Sequence, residues 1–504
     1  MKAHLAKLFW IVALLLVVIG VIYAALPSHP DTAAQKAVAE TRQALRQQGF
    51  KTDLADFDFS TSPELRAREA ILKATVSNRL SEPFVNHPNL METAGNDSVI
   101  VVWKQNSLKK QYPSWPDNSD ELRWDEFREA LKENQAALDA ACETALSGPI
   151  RLNLNASAGN AMRLPHLALL KNLTQTFGSR TVLALHDGNK DAAWTNLMAA
   201  TRLVTAWEPE PVEISHLVRF GDAKLVFNAT WQALQTNGWP DAQLARLQQE
   251  WESANFFTNL PDIAAFKRAS DVAFCEYDRH EFLESRPPFG RLVIEATQFP
   301  QSVWSEFYYR WSQGEYIRRG VYEDEKNLLL FYRDRELELR NAVQIPTWVQ
   351  MRQLPGVTNT ILYQSKYRSR TAAMLNLQTM ARRFQRQGSS FLGRAAEAEA
   401  ERRILITAIA LERYRGKNGF YPKTLADLSP EFLKTVPVDF MDGQSLRYRF
   451  TDDGHFLLYS VGLDCMDDGG KVLEREDRMS ELRQFRATGV APKEDIVWPL
   501  PVTP

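Results

Sequence analysis

The sequence predicts a mainly α-helical protein with an N-terminal transmembrane helix, an irregular helical domain and a small C-terminal α+β module, built from a long helix and an antiparallel β-hairpin. Three observations support this fold class: an uncharged apolar run near the N-terminus, apolar residues at steps of three and four through the middle, and strand and turn signals near the C-terminus. At 504 residues the chain can form two or three globular units. We divide it into a cytoplasmic tip (1–7), a transmembrane anchor (8–26), a juxtamembrane mixed region (27–120), a helical domain (121–345), a basic connecting helix region (346–395) and the C-terminal module (396–504).

The composition sets limits on the class of protein. With 44% hydrophobic and 24% charged residues, most of the chain can be buried in folded cores. A formal net charge of −2 argues against a nucleic-acid binder driven by bulk charge. Three cysteines, Cys142, Cys275 and Cys465, form no C-x-x-C pair, so neither a zinc ribbon nor a disulfide framework is indicated. Buried, unpaired cysteines and one incidental disulfide both remain open.

The N-terminal run "LFWIVALLLVVIGVIYAAL", residues 8–26, contains no charge. As a helix it would be about 28 Å long, which is close to the thickness of the hydrocarbon layer. Lys2 and Lys7 precede it, so the positive-inside rule places the N-terminus in the cytoplasm and the rest of the chain outside the cytoplasmic membrane. A cleaved signal peptide is the alternative, but Tyr23 or Ile22 would occupy a position that requires a small residue.

Helix signals recur through the middle of the chain. Asp31 to Gln48 has the pattern of a polar helix that ends at Gly49. Lys190 to Trp207 carries apolar residues on one face, which predicts a core helix. Asp241, directly after a proline, is expected to cap the next helix.

The charge is uneven after this region. Glu323 to Glu338 is dense in both signs, whereas Leu339 to Ala396 contains nine basic residues and no acidic one. The basic face of an amphipathic helix could dock on anionic headgroups, on a nucleic acid or on an acidic protein. Neutralisation inside the fold by Glu323 to Glu338, or by the carboxylates from Glu397 onward, is the interpretation we favour.

Specific turn signals characterise the C-terminal segment. A helix, "AEAEAERRILITAIALERYRGKNG", is followed by prolines and then by two strands, Leu446 to Phe450 and Phe456 to Val461. The strands flank "TDDG", in which an aspartate–glycine pair suits a tight hairpin turn.

This order of elements resembles the globular head of the type II secretion major pseudopilins. The matching residues are Ala408 and Leu411 to Tyr414 in the helix, Gly419, Tyr421 and Pro422 in a G-x-Y-P turn, Leu425 and Leu428 after it, Pro437 and Asp439 in "VPVDF", Tyr448, Leu458, Tyr459, Ser460, Gly462 and Asp464. The segment "KLFWIVALLLVVIG" lacks the glycine and glutamate that pilin-type processing needs, so a fibre-forming subunit is not expected. The whole arrangement resembles a group of single-pass bacterial envelope proteins of unknown activity.

The resemblance implies a calcium site in the loop after the last strand. An EF-hand is excluded, because counting from Asp464 puts Met466 at position three and Arg475 at position twelve. Calcium is therefore the one cofactor raised, and a solvated aspartate–glycine turn is the alternative. The candidate ligands are Asp464, Asp467, Asp468 and Asp495.

Common catalytic signatures are absent from the sequence: no G-x-S-x-G, G-x-x-x-x-G-K or G-x-G-x-x-G occurs. The closest approach to a metalloenzyme motif is "CEYDRHEFLE", in which Glu276, His280 and Glu284 share a helical face, but the second histidine of H-E-x-x-H is missing. We therefore expect no catalytic residues.

These observations together predict a membrane-anchored extracytoplasmic protein that mediates contacts with other envelope proteins, in secretion or envelope assembly. Its expected partners are the membrane and envelope proteins, with no nucleic acid. The alternative is an envelope-polymer hydrolase that uses carboxylates of the helical domain such as Glu276 and Glu281.

Overall fold

The computed structural model describes residues 31–77, 93–94, 98–99, 108–109, 121–122, 124–132, 134–284, 316–354, 377–452, 455–473 and 491–498, with a few isolated positions. The predicted transmembrane anchor and residues 355–376 of the predicted basic region lie outside these ranges. Among the helices within them, none has both the length and the hydropathy needed to cross a bilayer.

The described chain is mainly helical and carries one small three-stranded sheet. The helices are α1 (Thr32–Gln47), α2 (Pro63–Ser77), α3 (Trp124–Lys132), α4 (Gln135–Leu146), α5 (His166–His186), α6 (Lys190–Thr205), α7 (Glu213–Leu234), α8 (Asp241–Ser253), α9 (Leu260–Glu284), α10 (Val321–Ala342), α11 (Trp348–Met351) and α12 (Leu377–Asn418). The strands are β1 (Thr93–Ala94), β2 (Ser98–Val99), β3 (Leu108–Lys109), β4 (Glu121–Leu122), β5 (Arg447–Phe450), β6 (Phe456–Ser460) and β7 (Ile496–Val497).

Two helix predictions are confirmed by their local chemistry. Asp31 precedes α1, and its carboxylate accepts hydrogen bonds from the backbone N–H groups of Ala33 and Ala34. Gly49 adopts a φ of 82° just beyond the last turn, which a side chain would resist. The apolar face of α6 is buried, as its spacing predicts.

Asp241 does not have the predicted role. It is the first residue of α8 rather than its cap, and the capping position belongs to Pro240. The Asp241 carboxylate instead accepts a hydrogen bond of 2.7 Å from Nε of Arg413 on α12. This ion pair lowers the pKa of Asp241 and joins α8 to α12.

The helices pack pairwise around one large core, and a smaller separate cluster contains Phe57, Ala156, Ala265, Phe266 and Ala269. α5 packs on α6, α7 packs on α5, and α9 packs on α10. α1 lies against α10, and α12 packs on both α7 and α8. The core extends from Val38 in α1 to Trp498 after β7. Residues of the predicted juxtamembrane region, helical domain and C-terminal module therefore share one hydrophobic interior.

The predicted C-terminal hairpin is confirmed. β5 pairs antiparallel with β6, with Tyr448 opposite Leu458, and β7 pairs antiparallel with the other edge of β6. Asp439 is fully buried beside this sheet. Its carboxylate accepts from Oγ of Ser460 at 2.6 Å and from the backbone N–H of Val461 at 3.0 Å. These bonds fix the connection between α12 and the end of β6.

Position 462, just after β6, has no room for a side chain, and glycine occupies it. A Cβ there would overlap the carbonyl oxygen of Glu494, which precedes β7. The close backbone approach lets the chain return to the sheet and place β7 beside β6.

We expect Gly462→Ala to lower the free energy of unfolding by about 2–3 kcal/mol, because backbone atoms must move to admit the methyl group. Thermal denaturation followed by circular dichroism measures this. Gly416→Ala in α12 is the matched control: its Cβ would meet open space, and alanine favours a helix by about 0.5–1 kcal/mol. Equal melting curves for the two variants would contradict the close-approach account.

Candidate functional site

Three of the four aspartates proposed as calcium ligands, Asp464, Asp467 and Asp495, accept hydrogen bonds from backbone groups of the same loop. Asp495 accepts from the backbone N–H of Gly470 at 2.7 Å, and Asp464 accepts from that of Met466 at 3.1 Å. Burial raises the pKa of Asp495 to about 6. Asp468 contributes its backbone N–H, which lies 3.5 Å from the Asp495 carboxylate.

Asp467 is satisfied by three donors. It accepts from the backbone N–H of Gly469 at 3.0 Å, from the Tyr459 hydroxyl at 3.0 Å and from Nε of Arg447 at 3.3 Å. These hydrogen bonds, that from Gly469 first, lower the pKa of Asp467. Within the described ranges no group of three or more histidine, cysteine, aspartate or glutamate side chains is placed to hold a metal ion. Calcium binding by these aspartates stays a prediction.

A melt of the full chain tests the calcium hypothesis. From the hydrogen bonds of these aspartates we expect equal melting temperatures with calcium and with chelator, since an ion that binds only the folded state would raise the temperature. A calcium-dependent rise that magnesium does not produce, and that Asp495→Asn abolishes, would contradict this expectation and support the site.

The residues of "CEYDRHEFLE" lie at the C-terminal end of α9. Glu276 accepts a hydrogen bond of 2.5 Å from Nη2 of Arg42, and the same guanidinium also contacts Asp53 and Glu325. Glu276 thus takes part in an ion-pair network that holds α1 against α9 and α10. The side chains of Glu281 and Glu284 lie outside the described residues.

A cavity of about 360 Å³ lies where the N-terminal end of α7 meets α9, α10 and the segment 159–164. Phe391 of α12 completes the wall. Most of the lining is apolar, and its members are Met162, Leu164, Pro211, Val212, Ile214, Ile263, Ala264, Phe266, Leu339 and Phe391. Six further residues give it a polar side, and they are Asn160, Glu213, Lys267, Ser270, Tyr332 and Arg335.

Asp271, behind the polar side of the cavity, connects three of these residues. One carboxylate oxygen accepts from Nδ2 of Asn160 at 2.8 Å and from Nζ of Lys267 at 2.5 Å. The other accepts from the Tyr332 hydroxyl at 2.9 Å. Burial, with Asp271 adjacent, raises the pKa of Tyr332 well above its ordinary value, so the phenol keeps its proton and donates.

The segment that carries Asn160 is shaped by Gly159. Its φ of 49° breaks the short 3₁₀ turn Ala156–Ala161 and is a conformation that other residues resist. A Cβ at Gly159 would lie 3.1 Å from Cδ1 of Leu54 and 3.6 Å from Ser270. Glycine therefore lets the segment approach α9 closely enough for Asn160 to reach Asp271.

Glu213 is the first residue of α7, and its half-buried side chain lines the cavity. Burial raises the pKa of this carboxyl, and nearby Arg335 offsets only part of that effect. Arg335 is itself bonded to Glu338 one turn along α10. Within the described part of the chain, no hydrogen bond is made to the Glu213 side chain. Glu213 is thus a partly desolvated carboxyl whose loss of hydration is only partly offset by the nearby Arg335.

Ser270 supplies a second open polar group. It is 2% exposed, lines the cavity, and its hydroxyl has no hydrogen-bond partner in the described residues. A buried hydroxyl without a partner is destabilising, and it commonly marks a place where water or a ligand binds.

A buried network next to the cavity fixes the turn that carries Glu213. Glu210 accepts from Nε2 of His166 at 2.7 Å and from the hydroxyl of Ser215. Because the serine donates to the carboxylate and not to the histidine, this is not the geometry of an activated nucleophile. Burial and the nearby Arg219 lower the pKa of His216 to about 3, so this imidazole is neutral.

The cavity was not predicted from the sequence. The sequence features that could have indicated it are the glycine before Asn160 and the prolines at 209 and 211, because these residues mark sharp changes of chain direction at two edges of the cavity. Of the aspartates proposed as calcium ligands, Asp495 does lie beside Asp468, whose backbone N–H is 3.5 Å from its carboxylate.

Comparisons with protein-family models, with curated proteins and with solved structures find no match for this chain. Its function is therefore inferred from the geometry of the cavity. A mostly apolar cavity with a few converging polar groups can hold a small amphipathic molecule and orient its polar end.

Proposed function

We propose that this chain is a single-pass protein of the bacterial cytoplasmic membrane whose extracytoplasmic helical body binds a small, largely apolar molecule in the cavity between α7, α9 and α10. The cavity carries this proposal: it measures about 360 Å³, its walls are mostly apolar, and it is lined by Ser270, whose buried hydroxyl has no hydrogen-bond partner among the described residues. Protein interiors leave few voids larger than a water molecule, whereas ligand sites typically measure about 300–1,000 Å³.

The proposed location rests on the sequence. Residues 8–26 are long and apolar enough to span the hydrocarbon layer, and Lys2 and Lys7 favour a cytoplasmic N-terminus. The helical body would then lie outside the cytoplasm, where it could take up a molecule from the envelope or from the membrane surface.

The proposed binding function is tested with a neutral probe, 4-phenylbutanol, titrated calorimetrically into the detergent-solubilised full chain against a matched detergent blank. Met162 lines the cavity, so we expect Met162→Trp to fill part of it and to weaken binding at least tenfold. Met466→Trp is the control, because Met466 is 65% exposed and lies in the loop after β6. Equal binding by both variants, or none by the wild type, would contradict the cavity as a ligand site.

A second candidate function is the mediation of protein contacts in secretion or envelope assembly. Two exposed aromatic residues of the C-terminal module favour it: Phe420 is 61% exposed and Phe450 is 48% exposed. Each rests against a tyrosine, Tyr414 and Tyr448 respectively, and has its outer face open. Aromatic residues, phenylalanine included, are enriched at protein interfaces relative to the rest of the surface.

Cross-linking in cells followed by purification of the tagged full chain tests this second function. We expect envelope-assembly proteins to be recovered with the wild type and lost with Phe420→Ser/Phe450→Ser. Ile71→Ser removes an exposed apolar residue of α2 and serves as the control. Recovery of the same proteins with every variant would argue against an interface at these aromatic residues.

A further inference from the structure

We infer that the cavity selects a positively charged amphipathic molecule, namely a primary amine carried on an apolar alkyl or aryl chain. The inference rests on the ligand-binding function proposed above and adds the chemical class of the ligand. It depends on how the charges around the cavity are paired.

The two cations that line the cavity already have carboxylate partners. Lys267 donates to Asp271 at 2.5 Å, and Arg335 is bonded to Glu338. Each pair is made between neighbouring turns of a single helix, Lys267 with Asp271 on α9 and Arg335 with Glu338 on α10. Neither pair therefore needs a ligand to complete it.

Glu213 is the carboxylate left after this pairing. It faces the cavity, it accepts no hydrogen bond within the described residues, and the cation near it, Arg335, is shared with Glu338. With their acidic groups ionised, two cationic and three anionic side chains lie at this side of the cavity, which leaves one negative charge in excess. They are Lys267, Arg335, Asp271, Glu338 and Glu213. An ammonium group in the cavity would balance that charge and hydrogen-bond to the carboxylate.

Ser270 gives the ammonium a second acceptor. An ammonium group has three N–H donors and no acceptor, so it needs several oxygens when it leaves water. Glu213 and Ser270 line the same cavity, and the buried hydroxyl of Ser270 has no hydrogen-bond partner among the described residues. The rings of Phe266 and Phe391 and the side chains of Ile263 and Leu339 leave apolar surface for the remaining part of the molecule.

An anionic amphiphile fits this cavity poorly. It would have to take Lys267 from Asp271 or Arg335 from Glu338 to obtain a counter-ion. Asp271 is 2% exposed, so the displaced carboxylate would stay buried without its cation, which is strongly unfavourable. It would also face Glu213 directly, and like charges at short range oppose binding.

Three isosteric probes test the inference at pH 7: 4-phenylbutylamine, 4-phenylbutanol and 4-phenylbutanoate. Each is titrated calorimetrically into the detergent-solubilised full chain. We expect the amine to bind at least tenfold more tightly than the alcohol, and the carboxylate to bind most weakly.

Variants assign the preference to Glu213. Glu213→Gln keeps the shape and removes the charge, so the amine should bind it no more tightly than the alcohol does. Ser270→Ala should weaken amine binding severalfold and affect the alcohol less. Glu208→Gln is the matched control, because Glu208 is exposed, pairs with Arg151 and does not line the cavity. Thermal melts establish that each variant is folded.

The outcomes separate this inference from the function on which it rests. Binding of the alcohol as tight as that of the amine, or tighter binding of the carboxylate, would overturn the amine preference and leave the cavity as a ligand site. An amine preference that persists in Glu213→Gln would also overturn it. Failure of all three probes to bind would overturn both proposals.

Discussion

The antiparallel packing of α9 on α10 is fixed by three buried polar contacts, and the rest of the helical body depends on it. Arg268 lies 2.9 Å from Glu336, Tyr332 donates to Asp271 at 2.9 Å, and Arg279 lies 2.6 Å from Glu325. As the residue number rises along α9, the number of the partner on α10 falls, as antiparallel packing requires. A slip by one turn would leave several buried charges without partners, so a single register is strongly favoured.

This register also defines the polar side of the cavity. Lys267 and Ser270 lie beside Arg268 and Asp271 on α9, and Arg335 lies next to Glu336 on α10. The same contact extends to the start of the described chain, because Glu325 is shared by Arg279 and by Arg42 of α1. The groups that would contact a ligand are therefore held by helices whose relative position is itself determined by buried charge.

Local features of this fold could be predicted from the sequence, and long-range ones could not. The end signals of α1, Asp31 and Gly49, act on backbone groups a few residues away, and the β5–β6 hairpin is set by alternation around a short turn. The contact between Tyr332 and Asp271 joins residues about sixty positions apart, each of which is ordinary in its own helix. A single sequence contains no pattern that pairs them.

The same limit explains the candidate site. Five separate segments contribute to the cavity. The side chains that distinguish it, Glu213 and Ser270, have no hydrogen-bond partner among the residues that the structure describes. The aspartates of the C-terminal loop were conspicuous because they are close in sequence. The carboxylates of Asp464, Asp467 and Asp495 accept hydrogen bonds from backbone donors, and that of Asp467 also from Arg447, a role that spacing alone does not distinguish from metal ligation.

The 42-residue helix α12 gives the molecule a mechanical property. Phe391, about a third of the way along this helix, forms part of the cavity wall. Tyr414, about 35 Å further along the axis, packs on Phe432 of the C-terminal module. Between these two positions, Glu401 of α12 pairs with Lys224 of α7, and Arg402 of α12 donates to the backbone carbonyl of Trp251 in α8. The helix therefore acts as a stiff rod, and an axial load at the module would reach the cavity wall through one continuous element.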